Sequence, residues 1–467
     1  MRPSLPANLE PVLRAVRRVG TPYLVGGCVR DWLLGLEPAD IDIEVYGTGF
    51  DKLRETLARF GPTDVVGKSF GVVKLRLPDA EYDFALPRRE RKTSSGHRGF
   101  AVEADGGMTV EEASSRRDFT INAMAWDPET GCILDPHGGR ADLEKRILRH
   151  IGPAFAEDPL RVLRAMQLAG RHDLRTAPET AALSRRILDS FHELPIERVW
   201  AEWDKWARLS TRPSRGLAVL RETAWLGHFP ELAAIDGVPQ EPEWHPEGDV
   251  LTHTGHALDA LAGLPGWREA GDHRRRVLML AVLSHDLGKA TTTRQTFKHG
   301  RNRWTSPGHD REGGPLAAAF LASIGAPPAL RQEVVPLVEN HMFPLQVGEH
   351  PTATAVRRLA GRLHPATIGD LALVVEADAA GRPPLPPRPP AAMAAVMETA
   401  RGLRVESKAP RPLILGRHLI AAGLSPGPHF KPLLNELFEA QLEGDFTTEE
   451  EGLRLLRAKL AEKNPPG

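Results

Sequence analysis

Four short apolar, β-branched or aromatic runs lie between turns in the first part of the chain, which predicts strands of one small mixed sheet. They are Tyr23–Val25, Ile41–Tyr46, Val72–Leu77 and Tyr82–Leu86. The stretch from 88 to 115 that follows is polar, contains glycine and lacks clear periodicity. It predicts a mobile loop with one strand near Phe100–Val102.

The pattern changes to a helical period from about Glu157 onward. Apolar residues there recur every three or four positions, which predicts helices almost to the end of the chain. A continuous apolar helix is predicted over Val277–Leu283. Three tryptophans at steps of three indicate a packing stripe rather than a base-stacking platform, namely Trp200, Trp203 and Trp206.

Length and the change of pattern together predict several domains and an α+β fold class. A chain of 467 residues is too long for one compact core. We expect a head with the mixed sheet over residues 1–150, a helical neck and body over 151–240, a histidine-bearing helical domain over 241–380 and a helical tail over 391–467. The proline-rich break at 381–390 predicts a semi-rigid spacer before the tail.

Composition excludes several classes of protein. The formal net charge is −1, so no global field draws the chain to nucleic acid, and local patches would have to bind any polyanion. The two cysteines, Cys28 and Cys132, have no CxxC partner, which argues against a disulfide framework and against a zinc ribbon. With no signal-like N-terminal segment and no apolar run of membrane-spanning length, the expectation is a cytoplasmic protein.

The most informative motif places two acidic residues shortly after a glycine turn. Leu24-Val-Gly-Gly-Cys-Val-Arg-Asp31 combines a strand, a turn and a short helix, and Asp40 and Asp42 follow on the next predicted strand. Residues i and i+2 of a strand point to the same face, so both carboxylates are expected to project together. They repel each other unless a hard cation lies between them, and Mg²⁺ favours oxygen ligands and substrate phosphates.

A third carboxylate would complete a two-metal site for nucleotidyl transfer. Asp83 on the strand Tyr82–Leu86 is the candidate, Glu81 on the same face is its alternative, and an exposed strand residue is the structural reading. In such a site one metal activates a terminal hydroxyl, and the other holds the triphosphate and the leaving pyrophosphate. The predicted catalytic residues are therefore Asp40, Asp42 and Asp83.

The segment Glu157-Asp-Pro-Leu-Arg-Val-Leu-Arg164 permits a prediction of base selection. Pro159 suits the first turn of a helix, which places Asp158 near the helix N-terminus, with Arg161 and Arg164 one and two turns on. Aspartate accepts hydrogen bonds and arginine only donates them. Cytosine and adenine present an exocyclic amine beside a ring-nitrogen acceptor, whereas uracil and guanine present a carbonyl beside a ring N–H. Asp158 and Arg161 can thus select C and A without a nucleic-acid template, the alternative being a capping aspartate and two surface arginines.

In this order the motifs resemble those of bacterial CCA-adding tRNA nucleotidyltransferases, members of the polymerase-β-like nucleotidyltransferase superfamily. Beyond the segments quoted above, the resemblance rests on three more stretches: Arg88-Arg-Glu-Arg-Lys92, Arg116-Arg-Asp-Phe-Thr-Ile-Asn-Ala123 and Asp135-Pro-His-Gly-Gly139. It implies a polymerase-β-like head. In that family a flexible loop at the place of residues 88–115 is linked to the switch from C to A addition, which implies synthesis of the complete CCA end.

The resemblance also implies a set of nucleotide-binding residues. Gly27 and Arg30 are expected to contact the triphosphate of the incoming nucleotide. The rest of the nucleotide is expected to be held by Arg117 (or its neighbour Arg116), Asp118 and Asn122. Its base is expected to be read by Asp158 and Arg161, assisted by Arg164.

A second constellation lies in the histidine-bearing region. His285-Asp286-Leu-Gly-Lys289 follows the apolar helix and resembles the motif of HD-type phosphohydrolases. Imidazole and carboxylate ligands in a helical core can bind one or two divalent metals that activate a water toward a phosphate ester. The resemblance implies that the core ligands are His253, His285, Asp286 and Asp378, with His309 and His341 as candidates for a second metal. A degenerate, purely structural HD fold is the alternative.

The expected function is addition of C and A nucleotides from CTP and ATP to the 3′ end of tRNA, with Mg²⁺ in the head. The HD domain is expected to add a phosphatase or phosphodiesterase activity on nucleotide and 2′,3′-cyclic phosphate substrates, using a divalent metal such as Ni²⁺, Mn²⁺ or Mg²⁺. Neither DNA nor a membrane is expected as a partner. Rivals within the class are a poly(A) polymerase or a partial A- or CC-adding enzyme. Rivals of another class are an HD phosphohydrolase acting on RNA and an RNA-binding regulator with an inactive head.

Overall fold

The computed structural model describes residues 5–66, 71–92 and 100–463. Contacts divide the chain into two compact units, Met1–His228 and Phe229–Gly467, and each is described by itself. The finer division into head, neck, HD domain and tail stays a prediction. Within the described residues, none of the helices combines the length and the apolar character that crossing a bilayer requires.

The first unit begins with most of the strands and ends in helices. Its strands are β1 (Thr21–Val25), β2 (Asp42–Tyr46), β3 (Thr63–Val66), β4 (Val72–Leu77), β5 (Ala80–Ala85), β6 (Arg88–Lys92), β7 (Phe100–Ala104), β8 (Ala125–Trp126), β9 (Ile133–Leu134), β10 (Ile147–Leu148) and β11 (Arg175–Thr176). Its helices are α1 (Glu10–Val16), α2 (Gly27–Leu33), α3 (Phe50–Leu57), α4 (Val110–Ser114), α5 (Gly139–Glu144), α6 (Leu160–His172), α7 (Pro178–Arg186), α8 (Ile196–Leu209) and α9 (Pro213–Glu222).

The mixed sheet has the strand order β3-β4-β5-β2-β1-β8-β9 within the described residues. Neighbouring strands are antiparallel except β2 and β5, which run parallel. Alternate residues face the core, as Ile43, Val45 and Phe84 do, because successive side chains of a strand point to opposite faces. All four runs predicted as strands are strands, and the α+β fold class is confirmed.

The prediction for residues 88–115 is partly wrong. In place of a loop with one strand, β6 and β7 form an antiparallel hairpin, and α4 follows. The run Arg88–Lys92 carries too much charge to read as a strand, and its pairing with β7 overrides that weak local preference. Residues 93–99, the part of the expected mobile loop between the two strands, lie outside the described residues.

The helical part of the first unit is organised around α6, which packs against α8 and α9. Trp203 and Trp206 of α8 are fully buried, which confirms their predicted packing role, and Trp200 is half-buried. Trp206 donates to the carbonyl of Pro213 at 3.2 Å. A β-carbon at Gly216 would lie 2.4 Å from Trp206 Nε1, so this close approach of helices requires a glycine.

The second unit is mostly helical. Its elements are α10 (Pro230–Ala233), α11 (Val250–Gly263), α12 (Pro265–Arg268), α13 (Asp272–Ser284), α14 (Lys289–Thr292), β12 (Arg294–Lys298), β13 (Arg301–Thr305), α15 (His309–Ser323), α16 (Pro328–Asn340), α17 (Phe343–Val347), α18 (Ala353–Leu363), α19 (Ile368–Ala380), α20 (Ala391–Gly402), α21 (Gly416–Ala421), α22 (Phe430–Glu443) and α23 (Glu449–Lys463). Helices α11, α13, α16 and α19 pack together, and a separate apolar cluster joins α21, α22 and α23.

A β-hairpin interrupts these helices, so the prediction of helices almost to the end is wrong at residues 294–305. Strands β12 and β13 are antiparallel, and the two residues between them, His299 and Gly300, have φ of 52° and 80°. Positive φ at both central residues is the geometry of a type I′ turn, the turn that best matches the twist of a two-residue hairpin. The turn signal was present as His299-Gly300 but was hidden among charged residues.

Candidate functional site

The glycine turn connects β1 to α2 as the sequence predicts. Gly26 has a φ of 77°, and a β-carbon there would lie 2.7 Å from Nη1 of Arg117. Both facts require glycine, because an L side chain would be strained and would displace the guanidinium. Arg117 donates to the carbonyl of Asn122 at 3.1 Å and to Glu44 at 2.6 Å. The turn therefore leaves room for the Arg117 guanidinium, which is held by Asn122 and Glu44.

The acidic residues converge across two neighbouring strands. Asp42 and Asp83 are register partners in the parallel pair β2 and β5, so their side chains emerge from the same face. The prediction for Asp40 is corrected: β2 begins at Asp42, so Asp40 lies in the preceding loop and not on the strand face. The loop that follows α2 extends to Ile41, which the apolar pattern had assigned to the strand. Asp40 nevertheless remains close enough to affect Asp42 electrostatically.

The pKa of Asp42 is raised from its ordinary value. Burial is the largest cause, and the charges of Asp83 and Asp40 act in the same direction, while Arg117 acts in the opposite one. A carboxylate with a raised pKa is a destabilised anion, and a divalent cation among these oxygens would remove the repulsion. Oδ1 of Asp83 is buried without a hydrogen-bond partner, with Nζ of Lys74 3.6 Å away, so it remains available as a ligand for a metal cation.

Asp83 rather than Glu81 lines the candidate site, although both side chains project from the same face of β5. Glu81 is neutralised by ion pairs with Lys74 at 2.5 Å and with Arg76 at 3.0 Å. Asp83 lies 3.6 Å from Lys74 and borders a large cavity in the first unit. The geometry therefore favours the first of the two alternatives.

A cavity of about 770 Å³ in the first unit brings most of the predicted residues together. Predicted residues on its wall are Gly27, Arg30, Asp42, Asp83, Arg117, Asp118, Asn122, Asp158, Arg161 and Arg164. The wall also contains Arg116, the alternative to Arg117, and three residues that the sequence reasoning missed: Glu44, Arg88 and Arg198. Asp40 is outside the set of lining residues. The alternation Asp-Ile-Glu in β2 could have indicated Glu44, but no local pattern marks Arg198.

One side of the cavity is a buried hydrogen-bond chain. Arg30 donates to Asp31 at 2.8 and 2.7 Å and to Oδ1 of Asn122 at 2.6 Å. Because arginine only donates, the Asn122 amide must present its oxygen to Arg30, which leaves its nitrogen to donate to Asp118 at 3.0 Å. The chain fixes the orientation of each member before any ligand binds.

Asp118 connects this chain to α6. Arg164 donates to Oδ2 of Asp118 through Nε at 2.8 Å and Nη2 at 2.7 Å, a bidentate pair. Burial acts to raise the pKa of Asp118, but Arg164 and the hydrogen bond from Asn122 outweigh it and lower that pKa. Asp118 is therefore held as an anion inside the wall.

The predicted base-reading residues lie where α6 begins. Asp158 is in an extended segment with φ −125° and ψ 101°, and α6 starts at Leu160. Its Oδ1 accepts from the Leu160 amide at 3.1 Å, and its Oδ2 accepts from Arg198 at 3.1 Å. Arg161, one turn on, donates to the carbonyls of Ala154 and Arg116, both at 2.7 Å. The aspartate thus also makes the capping contact of the alternative reading, although both residues border the cavity.

The second unit brings the histidine–aspartate residues together in its helical core. The ligand atoms of His253, His285 and Asp378 lie within 4.8 Å of one another. A second group with the same spacing contains Asp286, His309 and His341. The two groups together contain all six residues singled out by the sequence. They are linked along the chain because His285 of the first group is followed by Asp286 of the second.

The ring nitrogens in these groups are arranged as in metal-binding histidines. Nδ1 lies 2.7–2.8 Å from a backbone carbonyl oxygen in His285, His309 and His341. A carbonyl only accepts, so Nδ1 carries the proton and Nε2 is left as a ligand atom. Nε2 of His309 lies 3.1 Å from Nε2 of His341. Burial lowers the pKa of His341 to about 4, so its imidazole is neutral near pH 7 and Nε2 has a free lone pair.

The sequence reasoning missed Glu247, which accepts a hydrogen bond from Nδ1 of the candidate ligand His253. Its Oε1 accepts from Nδ1 of His253 at 2.8 Å and from Nδ1 of His245 at 2.9 Å. Burial acts to lower the pKa of His253, but Asp378 and Glu247 outweigh it and raise that pKa to about 9. The Glu-Gly-Asp turn before α11 gave no signal beyond its acidic character.

Comparison with known proteins identifies the family of the chain. Residues 22–149 match the protein family described as the Poly A polymerase head domain. The multifunctional CCA protein of Xanthomonas campestris pv. campestris (strain B100) is 40% identical over 371 residues, covering 77% of this chain and 85% of that protein. The multifunctional CCA protein of Nitrosococcus oceani is 37% identical over 410 residues, covering 86% of this chain and 93% of that protein.

Solved structures share the fold at lower sequence identity. The Bacillus stearothermophilus CCA-adding enzyme in complex with CTP has a TM-score of 0.64 at 21% identity, covering 98% of this chain and 100% of that one. The Thermotoga maritima CCA-adding enzyme complexed with tRNA has a TM-score of 0.54 at 20% identity, covering 97% and 96%. The level and extent of identity to the curated relatives confirm the resemblance found in the motifs. The chain therefore belongs to the family of the multifunctional CCA proteins, the CCA-adding tRNA nucleotidyltransferases.

Proposed function

We propose that this chain adds C and A nucleotides from CTP and ATP to the 3′ end of tRNA without a nucleic-acid template. The observation that carries the proposal is that a single cavity contains both the Asp42–Asp83 pair and the Asp158–Arg161 pair. The first pair supplies a place for phosphoryl chemistry, and the second supplies a donor and an acceptor for a base. A cytoplasmic location follows from the proposed substrates.

The acidic residues fit a divalent metal, Mg²⁺ in this proposal. Asp42 and Asp83 would hold it, with Asp40 as a further ligand. When bound, Mg²⁺ stabilises the charge that develops on the phosphate oxygens and makes the terminal hydroxyl a better nucleophile. In the reaction the tRNA 3′ oxygen forms a bond to the α-phosphorus, the bond to the β-phosphate oxygen breaks, and pyrophosphate leaves.

The remaining residues of the wall position the nucleotide. Gly27 and Arg30 would contact the triphosphate, with Arg30 already oriented by Asp31 and Asn122. Arg117, held by Glu44 at 2.6 Å, would add a second positive charge beside it. Such preorganised donors stabilise transferring phosphoryl groups because they need no rearrangement during the reaction.

Base selection would rest on Asp158 and Arg161. The Asp158 carboxylate would accept from the exocyclic amine of C or A, and Arg161 would donate to the adjacent ring nitrogen. In this structure both side chains make hydrogen bonds within the protein: Asp158 accepts from Arg198, and Arg161 donates to two backbone carbonyls. Uracil and guanine would leave these half-buried partners unmatched, a kind of mismatch that discriminates between substrates.

The decisive experiment measures incorporation from each of the four NTPs into tRNA transcripts that lack one, two or three terminal residues. The proposal expects CMP, CMP and AMP in order, and then termination. Continued AMP addition would indicate a poly(A) polymerase, and addition of only one base would indicate a partial enzyme. Unchanged addition after replacement of Asp42 by Asn would contradict the metal assignment.

A second proposed activity is phosphoester hydrolysis in the HD domain, which we place at residues 241–380. His253, His285, Asp286 and Asp378 would hold a divalent metal, and His309 and His341 would complete a second position. The orientation of each Nδ1 toward an acceptor supports this. Bound metal would supply a water of lowered pKa for attack on a nucleotide or 2′,3′-cyclic phosphate.

Two measurements test the HD proposal. Asp286→Ala should abolish hydrolysis of 2′,3′-cyclic CMP and lower the metal content of the purified protein, while leaving nucleotide addition within about twofold of the original rate. A purely structural HD fold would show neither hydrolysis nor stoichiometric metal. Loss of nucleotide addition in the folded Asp286→Ala protein would overturn the separation of the two activities.

A further inference from the structure

The hairpin formed by β12 and β13 has two chemically different faces. Residues directly opposite in an antiparallel pair share a face, and the register pairs Gln295 with Trp304 and Phe297 with Asn302. One face therefore presents two aromatic rings and two amides. We call it the stacking face: Gln295, Phe297, Asn302 and Trp304. Phe297 is 74% exposed, although a large apolar side chain is normally buried.

The opposite face is basic and is attached to the protein. It contains Arg294, Lys298, Arg301 and Arg303, with Thr296 and Thr305 between them. Arg301 donates to Glu241 at 2.9 Å and to Glu243 at 2.6 Å, and Arg303 donates to Glu243 at 2.8 Å. The side of the hairpin that carries these two arginines is therefore anchored to the segment that precedes α11. The stacking face, on the other side, presents Phe297 to solvent. The six candidate metal ligands are called the HD cluster: His253, His285, Asp286, His309, His341 and Asp378.

Both ends of the hairpin are connected to the HD cluster. Lys289, the first residue of α14 before β12, lies 2.7 Å from Asp286, and His309 begins the helix that follows β13. Thr293 and Ser306 close the base of the hairpin through a 2.8 Å hydrogen bond.

A third connection runs through the side chain of Trp244. The guanidinium of Arg303 lies 5.6 Å from the centre of the Trp244 ring. The next residue, His245, has its ring 4.8 Å from that of the candidate ligand His253. The hairpin therefore borders the HD cluster through contacts on its basic face.

We propose that this hairpin is a binding arm for a single-stranded RNA end, and that the HD cluster acts on the terminal phosphate of a polynucleotide in preference to free mononucleotides. The inference rests on the proposed HD activity and names its substrate class. Exposed aromatics on a sheet face stack bases, and neighbouring amides bond to base edges. Lys298 and Arg294, both exposed at the edges, supply charge that complements phosphates.

Five paired residues at about 3.3 Å each give the arm a length of roughly 17 Å, so it can contact more than one nucleotide. A mononucleotide bound at the cluster would not reach the tip of the arm. The tip should therefore matter for a longer substrate and be irrelevant for a shorter one. This difference separates an RNA-binding arm from a structural hairpin.

The test uses the full chain loaded with Mn²⁺ and compares Phe297→Ala with Ile420→Ala. Ile420 is a second exposed apolar residue, 53% exposed on α21, and serves as the matched control. The substrates are a short RNA oligonucleotide ending in a 2′,3′-cyclic phosphate and 2′,3′-cyclic CMP. Loss of one stacking contact should raise KM for the oligonucleotide about tenfold in Phe297→Ala, with kcat unchanged. Hydrolysis of cyclic CMP, CCA addition and all rates of Ile420→Ala should stay within about twofold.

An equal rise in KM for both substrates in Phe297→Ala, or an unchanged KM for the oligonucleotide, would overturn the proposal that the hairpin binds RNA. If neither substrate is hydrolysed by the unaltered protein, the HD proposal fails, and the arm is then judged by binding alone. A fluorescein-labelled oligonucleotide carrying 5-bromouridine should crosslink under ultraviolet light to residues 294–305, about tenfold less in Phe297→Ala. Absence of that crosslink, or its complete competition by polyglutamate at equal charge, would refute RNA stacking and favour a purely electrostatic contact with an acidic protein.

Discussion

Arg198 donates to Oδ2 of Asp158 at 3.1 Å, which joins the middle helix α8 to the segment that would read the base. Asp158 lies outside α6, in an extended segment, so the helix alone does not fix the direction of its carboxylate. The guanidinium of Arg198 fixes one oxygen and leaves Oδ1 on the Leu160 amide. Arg198 thus positions the carboxylate that, in our proposal, reads the base.

Replacement of Arg198 by Ala should relax the choice of base more than it slows the reaction. We expect kcat/KM for CTP and ATP to fall about tenfold and incorporation of UMP and GMP to rise relative to them, because one hydrogen bond to a charged group is lost. Arg198→Lys should restore part of the discrimination. Arg186→Ala, on the exposed side of α7, is the control. A uniform loss for all four NTPs would indicate a structural role instead.

Asn substitutions at positions 42 and 83 test the metal assignment. Asp42→Asn and Asp83→Asn should each reduce nucleotide addition by about a thousandfold or more, since a lost ligand removes several kcal/mol of charge stabilisation. Because the Asp42 pKa is raised in the folded state, its neutral replacement should leave thermal stability in the absence of Mg²⁺ unchanged or higher.

Glu81→Gln is the matched control for these two variants, since Glu81 shares strand β5 with Asp83 but pairs with Lys74 and Arg76. Its rate should stay within about threefold, as expected for exposed ion pairs. A Glu81→Gln variant as inactive as Asp83→Asn would reverse the choice between the two carboxylates. The readout is single-turnover incorporation of CMP into trimmed tRNA.

Two glycines with nearly the same positive φ help to separate the effect of backbone strain from that of displacing Arg117. Gly26 and Gly35 have φ of 77° and 74°, but only Gly26 has Arg117 within 4 Å of the position of a β-carbon. Alanine at either site should cost about 1 kcal/mol of stability. Only Gly26→Ala should also raise KM for CTP, by about tenfold or more, because Arg117 must move. Equal activity of the two variants would remove Arg117 from triphosphate binding.

Sequence reasoning succeeded where the signal is local. The turn at Gly26 and the strands that carry Asp42 and Asp83 follow from patterns a few residues long, and the register between β2 and β5 then joins them. It failed where the partner is distant: Arg198 is 40 residues from Asp158, and nothing near either residue indicates their contact. The face assigned to Asp40 was wrong because the start of β2 depends on the preceding loop rather than on alternation.

The same distinction applies to the second unit. The order of His253, His285 and Asp378 could be recognised because each has a fixed place in a motif. Glu247 could not, since its function depends on where the turn before α11 places it relative to an imidazole nitrogen. The hairpin from Arg294 to Thr305 was missed because its charges masked its alternation.

Burial of His172 should make the stability of the first unit dependent on pH. This side chain is 3% exposed, and burial together with Arg30 and Arg171 lowers its pKa to about 2. Its folded-state pKa lies below the unfolded value near 6.5, so the unfolded chain binds a proton first as the pH falls. The stability is therefore fully present above about pH 6.5 and is lost progressively below it.

The loss should reach about 2 kcal/mol at pH 5, from 1.4 kcal/mol for each pH unit below 6.5. His172→Gln has no proton to take up, so the change in its unfolding midpoint between pH 7.5 and pH 5 should be smaller than that of the unaltered chain. Thermal unfolding of both proteins at three pH values provides the comparison. Parallel curves would show that His172 is protonated in the folded protein.

Glu247 gives the last prediction, which concerns metal affinity rather than catalysis. Its side chain is fully buried, and Oε1 accepts from Nδ1 of His253 at 2.8 Å, so it fixes the ring with Nε2 toward Asp378. Partners of this kind raise the basicity of a metal-binding histidine, and their loss typically weakens binding 10- to 100-fold, by about 1.4 to 2.7 kcal/mol. Glu247→Gln keeps the shape but removes the negative charge. It should therefore bind Mn²⁺ about tenfold or more weakly at the HD cluster.

The measurement is Mn²⁺ titration followed by electron paramagnetic resonance, in a chain that also carries Asp42→Asn and Asp83→Asn so that the head contributes no site. Glu269→Gln, an exposed carboxylate after α12, is the matched control and should bind Mn²⁺ as before. At saturating Mn²⁺, hydrolysis by Glu247→Gln should recover most of its rate, because the metal ligands themselves remain. Failure to recover at saturation would mean that Glu247 takes part in the reaction, and unchanged affinity would mean that it does not orient His253.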